Sequence, residues 1–226
     1  MHSNMDLSPL SPFIPSALAV AMHGYHSIYG NFPMTLAEGT SGLSWRVHLL
    51  PYLDQEALYK RFKLDEPWDS PANRELARHM PEVYRSLDKA APETHFMLLT
   101  GSEAAFQPGN PVSFRQITDG VSNTIMLVHA GATTIWTKPS DLPFDRTQPF
   151  KGLAGVNHRI ETCTFDGAQL APPTDIDAKL LTALVTPRGG EIADALGIHM
   201  RFNEPDEIRG DGTSRIVAEK NQAMAR

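Results

Sequence analysis

S-W-R-V-H-L-L-P-Y-L-D-Q-E-A-L-Y-K-R-F-K-L-D-E-P-W-D-S-P-A-N, residues Ser44 to Asn73, is a run of short helical segments punctuated by three prolines. Trp45, Leu49 and Leu50 lead into Pro51, which has no amide hydrogen to continue a helix. Asp54 is then expected to cap a second helix carrying Ala57, Leu58, Tyr59 and Phe62. Asp69 and Ser70 before Pro71 repeat the start signal, which predicts a third helix over about Ser70 to His79, ending before Pro81. Upstream, the Pro- and Ser-rich residues Ser8 to Pro15 read as an extended lead-in, and Ser16 is a candidate N-cap. Leu18, Met22, Tyr25 and Ile28 or Tyr29 recur at helical spacing as far as Gly30, giving one apolar stripe that needs a sheet to cover it.

Downstream the pattern changes. Thr94 to Thr100 (T-H-F-M-L-L-T), Asn123 to Ala130 (N-T-I-M-L-V-H-A) and Thr162 to Phe165 read as strands bounded by Gly, Pro, Asn and Asp. Asp166-Gly167 is expected to close a hairpin, and Asp175 to open a last helix through Leu180, Leu181, Leu184 and Val185. Helices first and strands later predict an α+β domain with an antiparallel sheet. The expected division is a lead-in over residues 1–15, a domain over 16–196 and a polar tail over 197–226.

Composition narrows the function. At 226 residues and 41% hydrophobic content, the chain is long enough for one buried core. A formal net charge of -6 with scattered Lys and Arg offers no basic footprint, so no nucleic-acid partner is expected. No apolar run reaches the length needed to span a bilayer, and the start M-H-S-N-M-D-L-S-P-L-S-P lacks the basic region and cleavage site of a secretory leader. Cys163 is the single cysteine, which excludes an intrachain disulfide and a thiolate zinc cluster. There is no G-x-S-x-G elbow, no phosphate loop, no H-E-x-x-H helix and no G-x-G-x-x-G turn, so no enzyme activity is expected.

Together with I-T-D-G-V-S-N-T-I (Ile117 to Ile125), W-T-K-P-S-D-L (Trp136 to Leu142) and F-D-G (Phe165 to Gly167), the Ser44 to Asn73 segment resembles a bacterial domain family of unknown function. That family carries a solute-binding-like label and usually follows a type IV prepilin leader. It is pseudopilin-like, similar to type II secretion protein G. The resemblance runs from about Ser16 to Ala195 and implies a pilin-like fold, with the Ser16–Tyr29 helix as the lower half of the pilin helix on an antiparallel sheet. It also implies protein partners or self-association, and a cell-surface or periplasmic location. The missing leader departs from the family pattern and leaves a cytoplasmic location open.

Four groups of residues are candidates for chemistry. Asp65, Glu66, Asp69 and Asn73 place four oxygen donors around Trp68, a set suited to calcium; the competing reading has Asp69 capping the next helix. Trp68 and Trp136, the latter beside Lys138 and Pro139, are candidates for lining a small-solute or glycan groove, against a structural reading of Trp136 as a lid on the core. His23 and His26, three apart on the first helix, fit a metal or a packing role. Cys163 would need His129 or His158 beside it to act as a nucleophile, and otherwise reads as a small core residue. Asp119, Ser122 and Asn123 are expected to close a loop by bonding to nearby backbone. The preferred expectation is a non-enzymatic structural or interaction module, and the second a solute- or glycan-binding protein.

Overall fold

A computed structural model describes residues 16–85 and 92–190, so the expected lead-in and tail lie outside the described residues. Helix α1 spans Ser16–Tyr29, where the apolar spacing predicts a helix, but Ser16 is its first helical residue and not its N-cap. It stops because Gly30 adopts a left-handed φ of 74° and its amide reaches back to the His26 carbonyl at 2.8 Å, a cap open to glycine without Cβ strain. The expected stripe is buried only at its start. Leu18 and Met22 are sealed, Tyr25 is half-buried, and Ile28 and Tyr29 stand in solvent.

The signature segment folds as a chain of single turns. Helix α2 (Trp45–His48) is capped by Ser44, and Pro51 sits in the 3₁₀ turn Leu50–Leu53 that follows. Asp54 does not cap the next helix. It takes a left-handed φ of 57° and ends that 3₁₀ turn, a conformation Asp tolerates, and helix α3 (Glu56–Tyr59) begins at Gln55 without a side-chain cap. Helix α4 (Pro71–Leu76) runs on through a 3₁₀ turn to His79, close to the predicted span. Its cap is Ser70, whose hydroxyl accepts from the Asn73 amide at 3.2 Å, and not Asp69. A 3₁₀ turn at Glu82–Tyr84 closes the helical half.

The second half is a five-stranded sheet in the order β3-β1-β2-β6-β7. Its members are β1 (Glu93–Thr100), β2 (Ile125–Ile135), β3 (Leu142–Pro143), β6 (Thr162–Thr164) and β7 (Gln169–Leu170). All neighbours are antiparallel except the short β1–β3 pair. Leu98 lies opposite Leu127, and Leu127 opposite Cys163, so one register runs across the sheet centre. A separate hairpin joins β4 (Gly155–Val156) to β5 (Arg159–Ile160) through Asn157 and His158, both at positive φ. Two left-handed residues match the twist of a tight hairpin. The Asp166-Gly167 hairpin forms as predicted, with only Gly167 at positive φ. The Asp166 carboxylate accepts from the Thr164 hydroxyl and the Ala168 amide.

Both sheet faces are covered, which explains why Phe96 to Leu99 reads as an unbroken apolar run rather than an alternating one. Phe96 and Leu98 join one core cluster with Leu18 and Met22 of α1, Trp45, Trp136, Leu127 and Cys163. Met97 and Leu99 join the other with Val128, Leu181 and Leu184. The latter two come from helix α5 (Ala178–Val185), capped by Asp177, whose carboxylate accepts from Lys179 and Leu180 amides; the expected Asp175 cap is corrected by two residues. Helix α1 meets the β6–β7 end of the sheet, where His23 Nε2 and the Phe165 carbonyl are 2.7 Å apart. The architecture is therefore α+β. No helix among the described residues is long and apolar enough to cross a membrane.

Candidate functional site

The signature segment and the W-T-K-P-S-D-L loop meet at a buried ion pair that neither motif reveals alone. Arg46 is wholly buried, and its guanidinium contacts Asp141 Oδ1 at 3.1 Å. The Phe96 carbonyl accepts from Arg46 Nε and Nη2 at 3.1 and 2.7 Å, and Nη1 donates to Ser44 Oγ at 2.8 Å. The same Asp141 oxygen accepts from Trp45 Nε1 and the Leu98 amide, each at 3.0 Å. Tyr84 donates its hydroxyl to the Arg46 carbonyl at 2.8 Å. Burial draws the Arg46 pKa below its usual range, while Asp141 and Tyr84 act to hold it up. This node ties α2, β1 and the loop before β3 together. A lone Arg between Trp45 and Val47 was the available signal, since a cation within an apolar run needs a buried partner.

The tryptophans do not share a groove. Trp136 has no exposed surface; its indole N–H donates to the Ala77 carbonyl at 2.7 Å, and its ring stacks on Tyr84 at 5.6 Å. A ring so enclosed is a core side chain and presents no face to a ligand. Trp68 is half-buried, with Lys138 Nζ 5.9 Å from its ring centroid. The W-T-K-P loop thus meets Trp68 through its lysine.

The proposed calcium donors are also dispersed in role. Asp65 and Asp69 are exposed and Glu66 half-exposed, whereas Asn73 is fully buried. Asn73 Oδ1 accepts from the Lys63 amide at 3.0 Å, and Nδ2 donates to the carbonyls of Lys63, Glu66 and Pro67 at 2.9–3.2 Å. Asn73 therefore staples the 63–67 loop onto α4 with its own amide group. Asn73→Ala should cost about 2–3 kcal/mol by stranding those backbone groups. Asn73→Asp should not rescue it, because a carboxylate cannot donate to three carbonyls; urea denaturation of both variants checks this. Among the described residues, no cluster of three His, Cys, Asp or Glu is placed to hold a metal.

The remaining candidates pack. His23 and His26 both lie against Phe114, at 5.4 and 4.5 Å between rings, and burial followed by His23 draws the His26 pKa down. Cys163 is buried in the sheet centre, and burial followed by Asp166 pushes its thiol up to about 12. Thiolate is scarce at such a pKa, so Cys163 should resist iodoacetamide in the folded protein and react on unfolding, as intact mass measurement would record. His158 occupies the β4–β5 turn. Asp119 closes a longer loop than expected: its carboxylate accepts from the amides of Gly189 and Gly190 at the far end of the domain. Asn123 Nδ2 donates to the Asp119 carbonyl.

What the surface does offer lies on α1. Among the described residues the exposed large hydrophobics are Val20, Ile28, Tyr29, Met34 and Leu64, and three of these belong to this one helix. Val20 and Ile28 stand on a single i+4 ridge, with Gly24 between them approached closely by the Tyr52 ring. Tyr29 lies 4.4 Å from Tyr25, which in turn meets Tyr52 edge-on at 5.8 Å. Burial, then Tyr29, raises the pKa of Tyr25 and Tyr52, so these two phenols are neutral across the physiological range. Ala17 and Val20 also border a groove of about 520 Å³ with Tyr52, Leu53 and Val83.

Fold and surface together define a small α+β domain whose first helix is buried on one side and leaves Val20, Ile28 and Tyr29 exposed. Residues 16–87 match a family model described as a protein of unknown function, DUF1559, which carries a solute-binding-like label. The matched residues take in α1 and the whole helical half and stop before the sheet, so Arg46 and Trp68 fall inside the match and Trp136 and Asp141 outside it. No curated protein and no solved structure matches the chain.

Proposed function

We propose that this protein is a non-enzymatic, pseudopilin-like interaction module, and that copies of the chain associate through the outer face of α1. The observation that carries the reading is the concentration of exposed apolar side chains on that helix, with Val20 67% and Ile28 69% exposed. Leaving such surface in water is unfavourable at roughly 25 cal/mol per Å², and exposed apolar surface gathered on one element supports an association role. The pilin-like order, an N-terminal helix laid on a mostly antiparallel sheet, supports the same reading. So does the chemistry of the interior, where Cys163 is held as an inert thiol and both α1 histidines are engaged in packing.

Photo-crosslinking tests this. A benzophenone side chain at position 28 should give chain-to-chain adducts, whereas the same group at Met34 or Leu64, exposed apolar positions away from α1, should give few. Equal yields from all three positions, or none from position 28, would overturn the reading.

A further inference from the structure

A cleft of about 570 Å³ opens between the loop after β1 and the turn after α5, far from the α1 ridge in sequence. Its volume falls in the range of small-molecule sites. Glu103, Arg146 and Arg188 supply its charges, and Val112, Ile117 and Pro187 line it with apolar surface. Arg146 Nε is paired with Glu103 Oε1 at 2.8 Å, so that charge is already matched. Arg188 differs. Its Nε donates to the Gln116 carbonyl at 3.2 Å, which fixes the guanidinium at the cleft wall, and no carboxylate among the described residues is in ion-pair contact with it.

The turn that carries Arg188 is built rather than incidental. The Pro187 carbonyl accepts from the Asp119 amide and the Thr118 hydroxyl, each at 3.2 Å. The Asp119 carboxylate in turn accepts from the amides of Gly189 and Gly190. Arg188 is thereby bracketed on both sides by bonds to the 118–119 segment. Both Asp119 oxygens are engaged by these amides, which leaves the Arg188 guanidinium without a carboxylate partner among the described residues.

We propose that this cleft binds a small organic acid, its carboxylate on Arg188 and its apolar body against Val112, Ile117 and Pro187. One guanidinium unmatched among the described residues selects one carboxylate, and a planar fork of donors suits a carboxylate better than a neutral sugar hydroxyl. Asp119 is a positioning residue, acting through the 187–190 turn. The assignment is independent of the α1 surface, and it locates a solute site away from both Trp68 and Trp136.

The experiment is an amide NMR titration of the full chain with sodium benzoate, with sodium chloride at matched ionic strength and N-acetylglucosamine as comparison probes. Benzoate should give saturable shifts at Val112, Ile117 and Gly189, and the other two should not. Arg188→Gln, an exposed position, should weaken benzoate at least about tenfold, equivalent to 1.4 kcal/mol. Arg146→Gln, whose charge is matched by Glu103, should change it by about twofold or less. Asp119→Asn should weaken binding and broaden the 187–190 amides, a readout that a simple loss of charge would not produce. Absence of saturable benzoate shifts, equal response to N-acetylglucosamine, or unchanged affinity in Arg188→Gln would each overturn the proposal. None of these outcomes bears on association through α1, which sedimentation reads separately.

Discussion

Asp141→Ala should destabilise the protein by about 3–5 kcal/mol, the usual cost of breaking a buried ion pair from one side. Three donors converge on Asp141 Oδ1: the Arg46 guanidinium, the Trp45 indole and the Leu98 amide. Removing the carboxylate strands a cation with no exposed surface, together with two neutral donors. Asp141→Asn keeps an acceptor for the neutral donors but leaves the cation uncompensated, so its loss should be smaller yet still large. The double variant Arg46→Leu/Asp141→Leu separates charge from packing. It should recover part of the loss, because no charge is then left buried, and fall short of the wild type because Trp45 and Leu98 still lack their acceptor. Urea denaturation midpoints of the four proteins measure this.

Trp136→Ala is expected to cost a similar amount, about 3–5 kcal/mol, through cavity formation. The indole fills the space between Phe62, edge-on at 5.8 Å, and Tyr84, stacked at 5.6 Å, and it satisfies the Ala77 carbonyl. All three partners come from the helical half, while Trp136 follows β2. The substitution should therefore loosen the two halves of the domain together. Trp136→Phe restores most of the volume but not the N–H, and should recover all but about 1–3 kcal/mol, the cost of an unsatisfied buried carbonyl. Near-ultraviolet circular dichroism of Trp136→Ala should lose amplitude, since the stacked Tyr84 loses its partner.

The parts of the fold legible in the sequence are those with long periodic signals. Helix α1 was readable in type and extent because its apolar spacing runs from Leu18 to a terminating Gly30, although Ser16, read as its cap, is already helical. The strands β1 and β2 were readable as apolar runs, although β2 continues to Ile135, past Gly131, where the Gly152 carbonyl pairs with its amide. Strands β3, β4 and β5 are two residues each, too short for any period to register. Caps failed where adjacent polar residues offered the same chemistry: Ser70 was taken over Asp69, and Asp177 over Asp175, by which hydroxyl or carboxylate the chain direction aims at the first free amides.

Function was less legible, for a physical reason. The Trp68 and Trp136 groove required two rings to converge, and convergence is a property of tertiary packing that composition does not encode. Asn73 looked like an oxygen donor because its demand for backbone partners, at Lys63 through Pro67, depends on how the loop folds back. Arg188 and Val112 share a cleft although 76 positions separate them, and no local pattern marks either. The exposure of Ile28 and Tyr29 is likewise not marked by the stripe itself, which treats them like the sealed Leu18 and Met22.

Sedimentation velocity of the wild-type chain beside Val20→Glu/Ile28→Glu tests the central claim, association through α1, most directly. Both positions are exposed, so the charges should leave the melting temperature unchanged while placing carboxylates on the ridge. Concentration-dependent association of the wild type, abolished in the folded double variant, is the predicted result. A wild-type chain that stays monomeric at every concentration, or a variant that associates as well as the wild type, would contradict it.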